Sequence, residues 1–296
     1  MDIAIFGFSP TIEALETELR TASDQGFSSF WIPQVFGLDV LTAIAAAARS
    51  VPEIELGTSV IPTYPRHPMM LAQQALTTQQ AIGGRLALGI GLSHQPVVEG
   101  MWGIDFSKPV RHMREYLTAL MPLLHDKGTS FGGEVITSRG QIDIDAPPPQ
   151  VLVAALGPQM LKVTGRLADG TITWMVGANT LADLTVPTIT AAAEAAGRPA
   201  PRIVTGVPIC LTDDVEEARN RAATEFAIYG QLPSYRAMLD REGLEGPADL
   251  AIIGSADQLA ERVDAFRSAG VTTLAMSEFG TRDERAATRE FLRTLL

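Results

Sequence analysis

Short apolar runs alternate with longer amphipathic stretches along most of the chain. Residues 3–8 form the first apolar run, and residues 11–25 repeat apolar positions with the period of a helix. The alternation recurs, so the sequence predicts a series of units in which a helix follows a strand. The further predicted strands span residues 27–32, 54–61, 85–90, 151–155, 171–175, 203–211 and 271–276, and the further predicted helices span 38–49, 69–82, 110–126, 159–167, 181–196, 215–239, 255–269 and 282–295.

The number and character of these strands predict the fold class, which is α/β. Their apolar runs are too continuous to leave one face in water, which is typical of a parallel sheet covered by helices. Eight strand–helix units predict a closed (β/α)8 TIM barrel, a single domain over residues 1–296 with an extra helical segment before the last strand. An open doubly wound sheet is the alternative, and closure is favoured because no Gly-x-Gly-x-x-Gly motif opens the first helix. Residues 249–254 are short and extended, and we treat them as a connection.

The alternation stops between residues 127 and 149, after the fourth predicted helix. This segment contains four glycines, an alternating stretch at residues 141–145 and three consecutive prolines at 147–149. Glycine and proline interrupt regular helices, and strict alternation is typical of short strands. We interpret the segment as an inserted hairpin that covers the pocket mouth as a lid.

Composition excludes several classes of protein. Of the 296 residues, 46% are apolar and 19% are charged, which excludes a disordered chain. The formal net charge of −11 repels a phosphate backbone, so we expect no nucleic-acid partner. No apolar stretch approaches the roughly 18 residues of a membrane span, and residues 1–6 enter the first predicted strand without a basic region, so we expect neither export nor membrane insertion. The single cysteine, Cys210, reads as a buried strand thiol and fits a reducing cytoplasm. Together with the missing membrane span, this predicts a cytoplasmic protein without a membrane partner.

Candidate polar chemistry is sparse. The four histidines, His67, His94, His112 and His125, lack the spacing of a metal site, and one cysteine cannot build a zinc cluster, so we expect no metal. No Gly-x-Ser-x-Gly motif supports a hydrolase. His94 follows the fourth strand, where it either donates a proton to a substrate or is a structural or solvent-facing histidine. The sequence identifies no catalytic residue.

In a closed barrel the functional face lies where the strands end, and here those positions are mostly uncharged. Aromatic and aliphatic residues dominate this rim, which suits a flat ring system better than a hydrolytic centre. The aromatic residues Phe6, Trp31 and Trp174 also fit a role in the core.

The most informative strand end lies at residues 154–160. The strand stops before Gly157, and Pro158 occupies the first helical turn, which leaves unpaired N–H groups beyond the strand. An anion could dock on these groups. An ordinary connection with proline at its preferred helix position explains the same residues.

Five segments occur in an order that resembles a known family. They are residues 30–33, 57–62, 85–91, 155–158 and 168–170. The insertion described above lies between the third and the fourth of these segments. Together they resemble the bacterial luciferase-like superfamily, in particular its branch of oxidoreductases that use the deazaflavin coenzyme F420. The resemblance covers nearly the whole chain and implies a TIM barrel of the bacterial luciferase-like type.

The resemblance also implies where the cofactor lies. In this family a bulge in the third strand often contains a non-proline cis peptide behind the ring, which maps to Ser59–Val60. Residues 156–160 would hold the coenzyme phosphate through their backbone. The implied cofactor contacts are Phe6, Gln34, Ser59, Val60, Ile61, Leu92, Ser93, Ala155, Leu156, Gly157, Pro158, Gln159, Met160 and Trp174. Relatives often place acidic and imidazole groups after the second strand, whereas this chain has Gln34, so no acid or base role transfers there.

The implied function is an F420-dependent oxidoreductase that transfers a hydride between the deazaflavin and a small organic substrate. The alternatives are a two-component monooxygenase that uses reduced FMN, and a flavin-binding protein without catalysis. Relatives commonly dimerise through the second and third helices, which implies a homodimer. The alanines within residues 43–48 permit close helix approach, and they equally allow the helix to pack on its own barrel.

Overall fold

A closed ring of eight parallel strands forms the centre of the computed structural model, which describes residues 1–51 and 53–296. The strands are β1 (Asp2–Phe6), β2 (Ser29–Ile32), β3 (Glu55–Thr58), β4 (Ile61–Pro62), β5 (Leu86–Gly91), β6 (Gly128–Gly132), β7 (Thr137–Gln141), β8 (Gln150–Val153), β9 (Gly170–Trp174), β10 (Arg202–Leu211), β11 (Ile252–Gly254) and β12 (Thr273–Glu278). The ring runs β1, β2, β3, β5, β8, β9, β10 and β12, and β12 pairs with β1 to close it. The predicted TIM barrel is therefore confirmed.

Helices surround the ring. They are α1 (Ile12–Asp24), α2 (Val40–Ala47), α3 (Pro68–Ala81), α4 (Pro109–His125), α5 (Pro158–Leu167), α6 (Ala178–Thr180), α7 (Val186–Ala195), α8 (Val215–Glu225), α9 (Ala227–Gln231), α10 (Pro233–Glu242), α11 (Pro247–Leu250), α12 (Ala256–Ser268) and α13 (Arg282–Arg293). Several begin where the sequence supplies a side-chain cap: Thr11, Ser255 and Thr281 each accept a first-turn N–H. No helix in the described ranges is long and apolar enough to cross a membrane.

Two expected elements differ from the structure. The helix predicted over residues 215–239 is three helices: α8 ends at Glu225, with Phe226 as its C-cap outside helical geometry, and Leu232 is extended so that Pro233 starts a new helix. Residues 249–254 comprise the end of α11 and then β11, which pairs in parallel with β10 outside the ring. The connection before the last strand therefore carries a short strand of its own.

The amino-terminal half of the barrel interior is filled by Trp31. Its ring is fully buried, and the Arg202 guanidinium carbon lies 5.3 Å from the ring centroid. Arg202 donates two hydrogen bonds, of 3.0 and 2.7 Å, to the Glu55 carboxylate. Gly57 leaves room for the indole, since a Cβ there would lie 2.0 Å from Trp31 Cε3. These residues close the barrel at the end opposite the strand carboxyl termini.

The alanine stretch of α2 packs mainly inward. Ala43, Ala47 and Ala48 are buried against the barrel, whereas Ala46 is exposed. This packing agrees with the interpretation that these alanines let the helix pack closely on its own barrel. The homodimer through α2 and α3 stays a prediction.

The insertion at residues 127–149 contains the antiparallel hairpin β6–β7, as predicted. Its tip lies on α4, where the buried Glu115 carboxylate accepts hydrogen bonds of 3.1, 2.8 and 3.0 Å from the N–H groups of Glu134, Val135 and Ile136. No residue of the segment lines the principal cavity described below, so its interpretation as a lid is wrong. A buried carboxylate needs hydrogen-bond donors, and the hairpin tip supplies them at α4.

Candidate active site

A cavity of about 460 Å3 lies at the carboxyl-terminal ends of the strands. On the barrel side its wall consists of Val60, Gly91, Ala154, Ile172, Thr173 and Trp174. No Asp, Glu, Lys or Arg lines it within the described chain. A mostly apolar cleft of this volume is typical of a small-molecule site.

Stacked aromatic rings form the floor of the cavity. The Phe6 and Trp174 ring centroids are 4.6 Å apart with an interplanar angle of 19°. Gly206 gives this pair space, because a Cβ there would lie 2.7 Å from Trp174 Cε3. Tyr229 contacts the same indole edge-on at 6.1 Å. The floor is thus held from several sides and presents an aromatic surface upward.

A bulge between β3 and β4 forms one side of the cavity. It contains the cis peptide Ser59–Val60, which confirms the expectation from the sequence. Two glycines of β5 accommodate it: a Cβ on Gly89 would lie 1.9 Å from the Thr58 carbonyl oxygen, and one on Gly91 would lie 2.5 Å from Val60 Cγ2. Thr58 Oγ1 also donates a 2.7 Å hydrogen bond to the Gly89 carbonyl. The close approach of the strands places Val60 in the cavity wall.

The start of α5 forms the opposite edge. Gly157 is the N-cap residue, and it has no side chain to accept the first N–H groups of the helix. Within the described ranges, the N–H groups of Gly157, Gln159 and Met160 meet no hydrogen-bond acceptor. A Cβ on Gly157 would find nothing within 4 Å. This edge therefore offers free backbone donors and open space, the features of an anion-binding helix start.

The outer wall of the cavity comes from two segments that are not barrel strands. The first follows β5 and contributes His94, Gln95, Pro96, Phe106 and Pro109. The second is residues 232–235 at the start of α10. The segments meet where the His94 and Tyr235 rings lie 5.8 Å apart between centroids.

Burial keeps the two titratable side chains of this wall uncharged. It lowers the pKa of His94 below its ordinary value of 6.5, so the imidazole is neutral at pH 7. Burial raises the pKa of the Tyr235 phenol, which therefore stays protonated. The cavity carries no formal side-chain charge at neutral pH.

Behind the outer wall, a buried histidine supports Phe106. The rings of His112 and Tyr64 stack at 3.9 Å and 8°, and Tyr64 contacts Phe106 at 5.2 Å. His112 Nε2 lies 3.0 Å from Thr63 Oγ1. Burial lowers the pKa of His112 to about 4, although the nearby Glu115 charge acts in the opposite direction.

This histidine makes stability depend on pH. Between pH 6.5 and about 4 the unfolded chain binds a proton at His112 and the folded protein does not, so stability is full above this window and is lost as pH falls through it. We expect His112 to contribute about 1–3 kcal/mol of this loss. Urea unfolding at pH 7 and pH 4.5 should show a flatter dependence for His112→Phe than for the wild type. Equal pH dependence in both proteins would contradict the assignment.

The structure brings most of the sequence-predicted cofactor contacts together. Those that line the cavity are Ser59, Val60, Leu92, Ser93, Leu156, Gly157, Met160 and Trp174. Phe6 lies directly beneath Trp174. Five others lie outside the lining: Gln34, whose side-chain oxygen accepts the Val40 N–H; the buried Ile61 and Ala155; and Pro158 and Gln159, exposed in the first turn of α5.

Apart from His94, the residues of the outer wall were not identified from the sequence, because they do not lie at strand ends. Phe106, Pro109 and residues 232–235 lie far along the chain from any apolar strand run. Two signals point to them in the sequence. The connection from β5 to α4 is long, and the prolines at positions 96, 109 and 233 each mark the start of a helix.

The fold and the cavity define a class of protein, a TIM barrel with an uncharged pocket at its strand ends, where such barrels usually hold small molecules. The family model described as luciferase-like monooxygenase matches residues 7–273, and the chain belongs to this family. The protein is therefore an oxidoreductase.

Relatives with similar sequences come from bacteria and archaea. An uncharacterised protein of Mycobacterium tuberculosis is 30% identical over 234 residues, which cover 74% of this chain and 68% of that protein. The 5,10-methylenetetrahydromethanopterin reductase of Methanolobus tindarius is 27% identical over 242 residues, which cover 80% of this chain and 73% of the reductase.

Solved structures share the architecture at lower identity. The coenzyme F420-dependent tetrahydromethanopterin reductase from Methanopyrus kandleri superposes with a TM-score of 0.82 at 19% identity, covering 99% of this chain and 97% of that one. The oxygenating constituent of 3,6-diketocamphane monooxygenase from Pseudomonas putida, in complex with FMN, superposes with a TM-score of 0.78 at 18% identity. The match covers 100% of this chain and 96% of that one. These likenesses show a common fold.

Proposed function

We propose that this protein is a coenzyme F420-dependent oxidoreductase that transfers a hydride between the deazaflavin and a small organic substrate. One observation carries the proposal: an uncharged cavity has an aromatic floor, a bulged strand on one side and a helix start with free N–H groups at its edge. Sequence similarity to a putative coenzyme F420-dependent oxidoreductase of Mycobacterium tuberculosis, 30% identical over 170 residues, supports the deazaflavin as the redox coenzyme.

The residues present fit such a coenzyme at both of its chemically distinct ends. Val60, Gly91 and Ala154 offer an apolar wall for a planar ring. The N–H groups of Gly157, Gln159 and Met160 are free donors for a phosphate, and the space beside Gly157 is open. When bound, F420 supplies the carbon that gives or accepts the hydride.

The protein contributes alignment and exclusion of water. Phe6 and Trp174 close the cavity below, and the outer-wall segments cover it from the side. Reacting carbons that are held close in a defined orientation react much faster than free ones, without any charged catalytic group. The sparse ionisable groups of this site suit hydride transfer better than hydrolysis.

Separate titrations with F420 and with FMN test the proposal. We expect saturable quenching of F420 fluorescence by the purified protein and F420-linked turnover on a panel of alkenes, imines, ketones and alcohols. Oxygen consumption with reduced FMN and a substrate would instead establish a two-component monooxygenase. Tight coenzyme binding without turnover across the panel would indicate a flavin-binding protein without catalysis. Either result would overturn the proposal.

A further inference from the structure

The absence of charge around the cavity restricts what can bind beside the coenzyme. Within the described chain, no carboxylate, ammonium or guanidinium group lines any part of it. The net charge of −11 gives the protein no general attraction for anions. The free N–H groups at α5 are the anion donors of the site, and the proposed function assigns them to the coenzyme. A charged substrate would lose water without gaining a counter-charge, which is costly.

The outer wall nevertheless offers polar atoms that have no partner. Gln95 donates a 2.8 Å hydrogen bond to Glu99, so its amide is already engaged. The imidazole of His94 and the phenol of Tyr235 have no hydrogen-bond partner within the described ranges, and both line the cavity. Tyr229 packs against Tyr235 at 5.0 Å and helps to hold that ring.

His94 suits a neutral polar group. Because burial lowers the pKa of His94, its ring at pH 7 has one nitrogen that donates a hydrogen bond and one that accepts. It can therefore bind a carbonyl, a hydroxyl or an imine without bringing a charge into the cavity. Phe106 and Leu232 add apolar surface to the lining of the same cavity.

We propose, resting on the proposed function, that the substrate is an uncharged and largely apolar molecule whose polar group is hydrogen-bonded by His94. The rest of the substrate packs between Phe106, Leu232 and Tyr235 on the outer wall. The barrel-side wall remains for the coenzyme ring.

Matched pairs of ketones test the substrate class. The pairs are acetophenone with 4-acetylbenzoate, and cyclohexanone with 4-oxocyclohexanecarboxylate, measured on the F420-loaded protein by calorimetric binding and by kcat/KM. We expect the neutral member of each pair to be favoured at least about tenfold, because the carboxylate is buried without a partner. Equal or better binding of the carboxylates, or no binding of the neutral members, would refute the inference.

Charge introduced into the outer wall should change this preference. Ser234 is exposed at the cavity edge, so Ser234→Lys places an ammonium group there with little effect on packing. We expect the neutral-to-anionic ratio to fall about tenfold or more, since an opposite charge offsets the lost hydration. Ser234→Gln, which adds length without charge, should keep the wild-type ratio. A ratio that is the same in both variants would argue against an electrostatic basis for selectivity.

The role of His94 is tested by His94→Gln, with His125→Gln as the control at the exposed end of α4. For the neutral ketones we expect KM to rise about fivefold or more in the first variant, with a smaller change in kcat, and no change in the second. Unchanged KM in His94→Gln would refute the contact. The F420 titration separates the two ideas: loss of coenzyme binding refutes the proposed function, whereas normal coenzyme binding with no neutral preference refutes only the substrate class.

Discussion

Gly57→Ala is expected to destabilise the barrel by at least about 3 kcal/mol, the upper end of the cost of overpacking a core. The added Cβ would lie 2.0, 2.3 and 2.4 Å from three carbons of the Trp31 indole. Trp31 cannot move aside, since it is fully buried and lies beneath the Arg202 guanidinium. Urea unfolding followed by tryptophan fluorescence measures the loss.

Two further variants establish the cause of that loss. Gly37→Ala is the matched control, because a Cβ there meets nothing within 4 Å, and its effect should stay within about 0.5 kcal/mol. The double variant Gly57→Ala with Trp31→Leu should lose less unfolding free energy than the two single variants together, since the smaller side chain relieves the clash. Strict additivity would show that the indole is not the obstacle.

Gly157→Asp is expected to weaken F420 binding at least about tenfold while leaving the protein slightly more stable. As the N-cap of α5, Gly157 tolerates a side chain in an ordinary extended conformation, with φ −89° and ψ 155°. An aspartate there would accept the free first-turn N–H groups and so compete directly with the coenzyme phosphate. The same hydrogen bonds should raise the free energy of unfolding by about 0.5 kcal/mol.

The opposite signs of these effects make the variant informative, because loss of binding cannot then follow from unfolding. Gly157→Asn is the control, since it caps the helix without a negative charge, and it should lose less affinity than the aspartate. Fluorescence titration and thermal unfolding measure the two quantities. An aspartate variant that binds F420 as well as the wild type would place the phosphate elsewhere.

The order of strands and helices was predictable from the sequence because buried parallel strands leave a clear apolar signal. Residues 151–155 and 203–211, for example, read as strands from composition alone, and β8 and β10 occupy nearly the same positions. The break at Ser59–Val60 is different. Residues 54–61 look like one continuous strand, and only the family resemblance indicated a bulge there. The glycines that admit it, Gly89 and Gly91, lie on another strand.

The candidate site was predictable only on its barrel side. Leu92 and Gly157 follow apolar strands and Val60 lies near the end of one, so their place at the strand ends can be read from the chain. Tyr235 reaches the cavity because α10 turns back over the barrel mouth, a tertiary arrangement without a local pattern. The prediction of a lid failed for the same reason, the lack of a local signal for a tertiary contact. Glycines and prolines indicated a hairpin, but Glu115, the side chain that fixes its direction, belongs to a helix.

Trp31, Arg202 and Glu55 close the barrel interior at the end opposite the cavity. Reactants therefore cannot pass through the barrel interior, and they enter and leave the cavity on the side of the strand carboxyl termini. If F420 binds against the barrel-side wall as proposed, it lies deeper in the cavity than a substrate on the outer wall. For these proposed positions we expect the coenzyme to bind before the substrate and to leave after it.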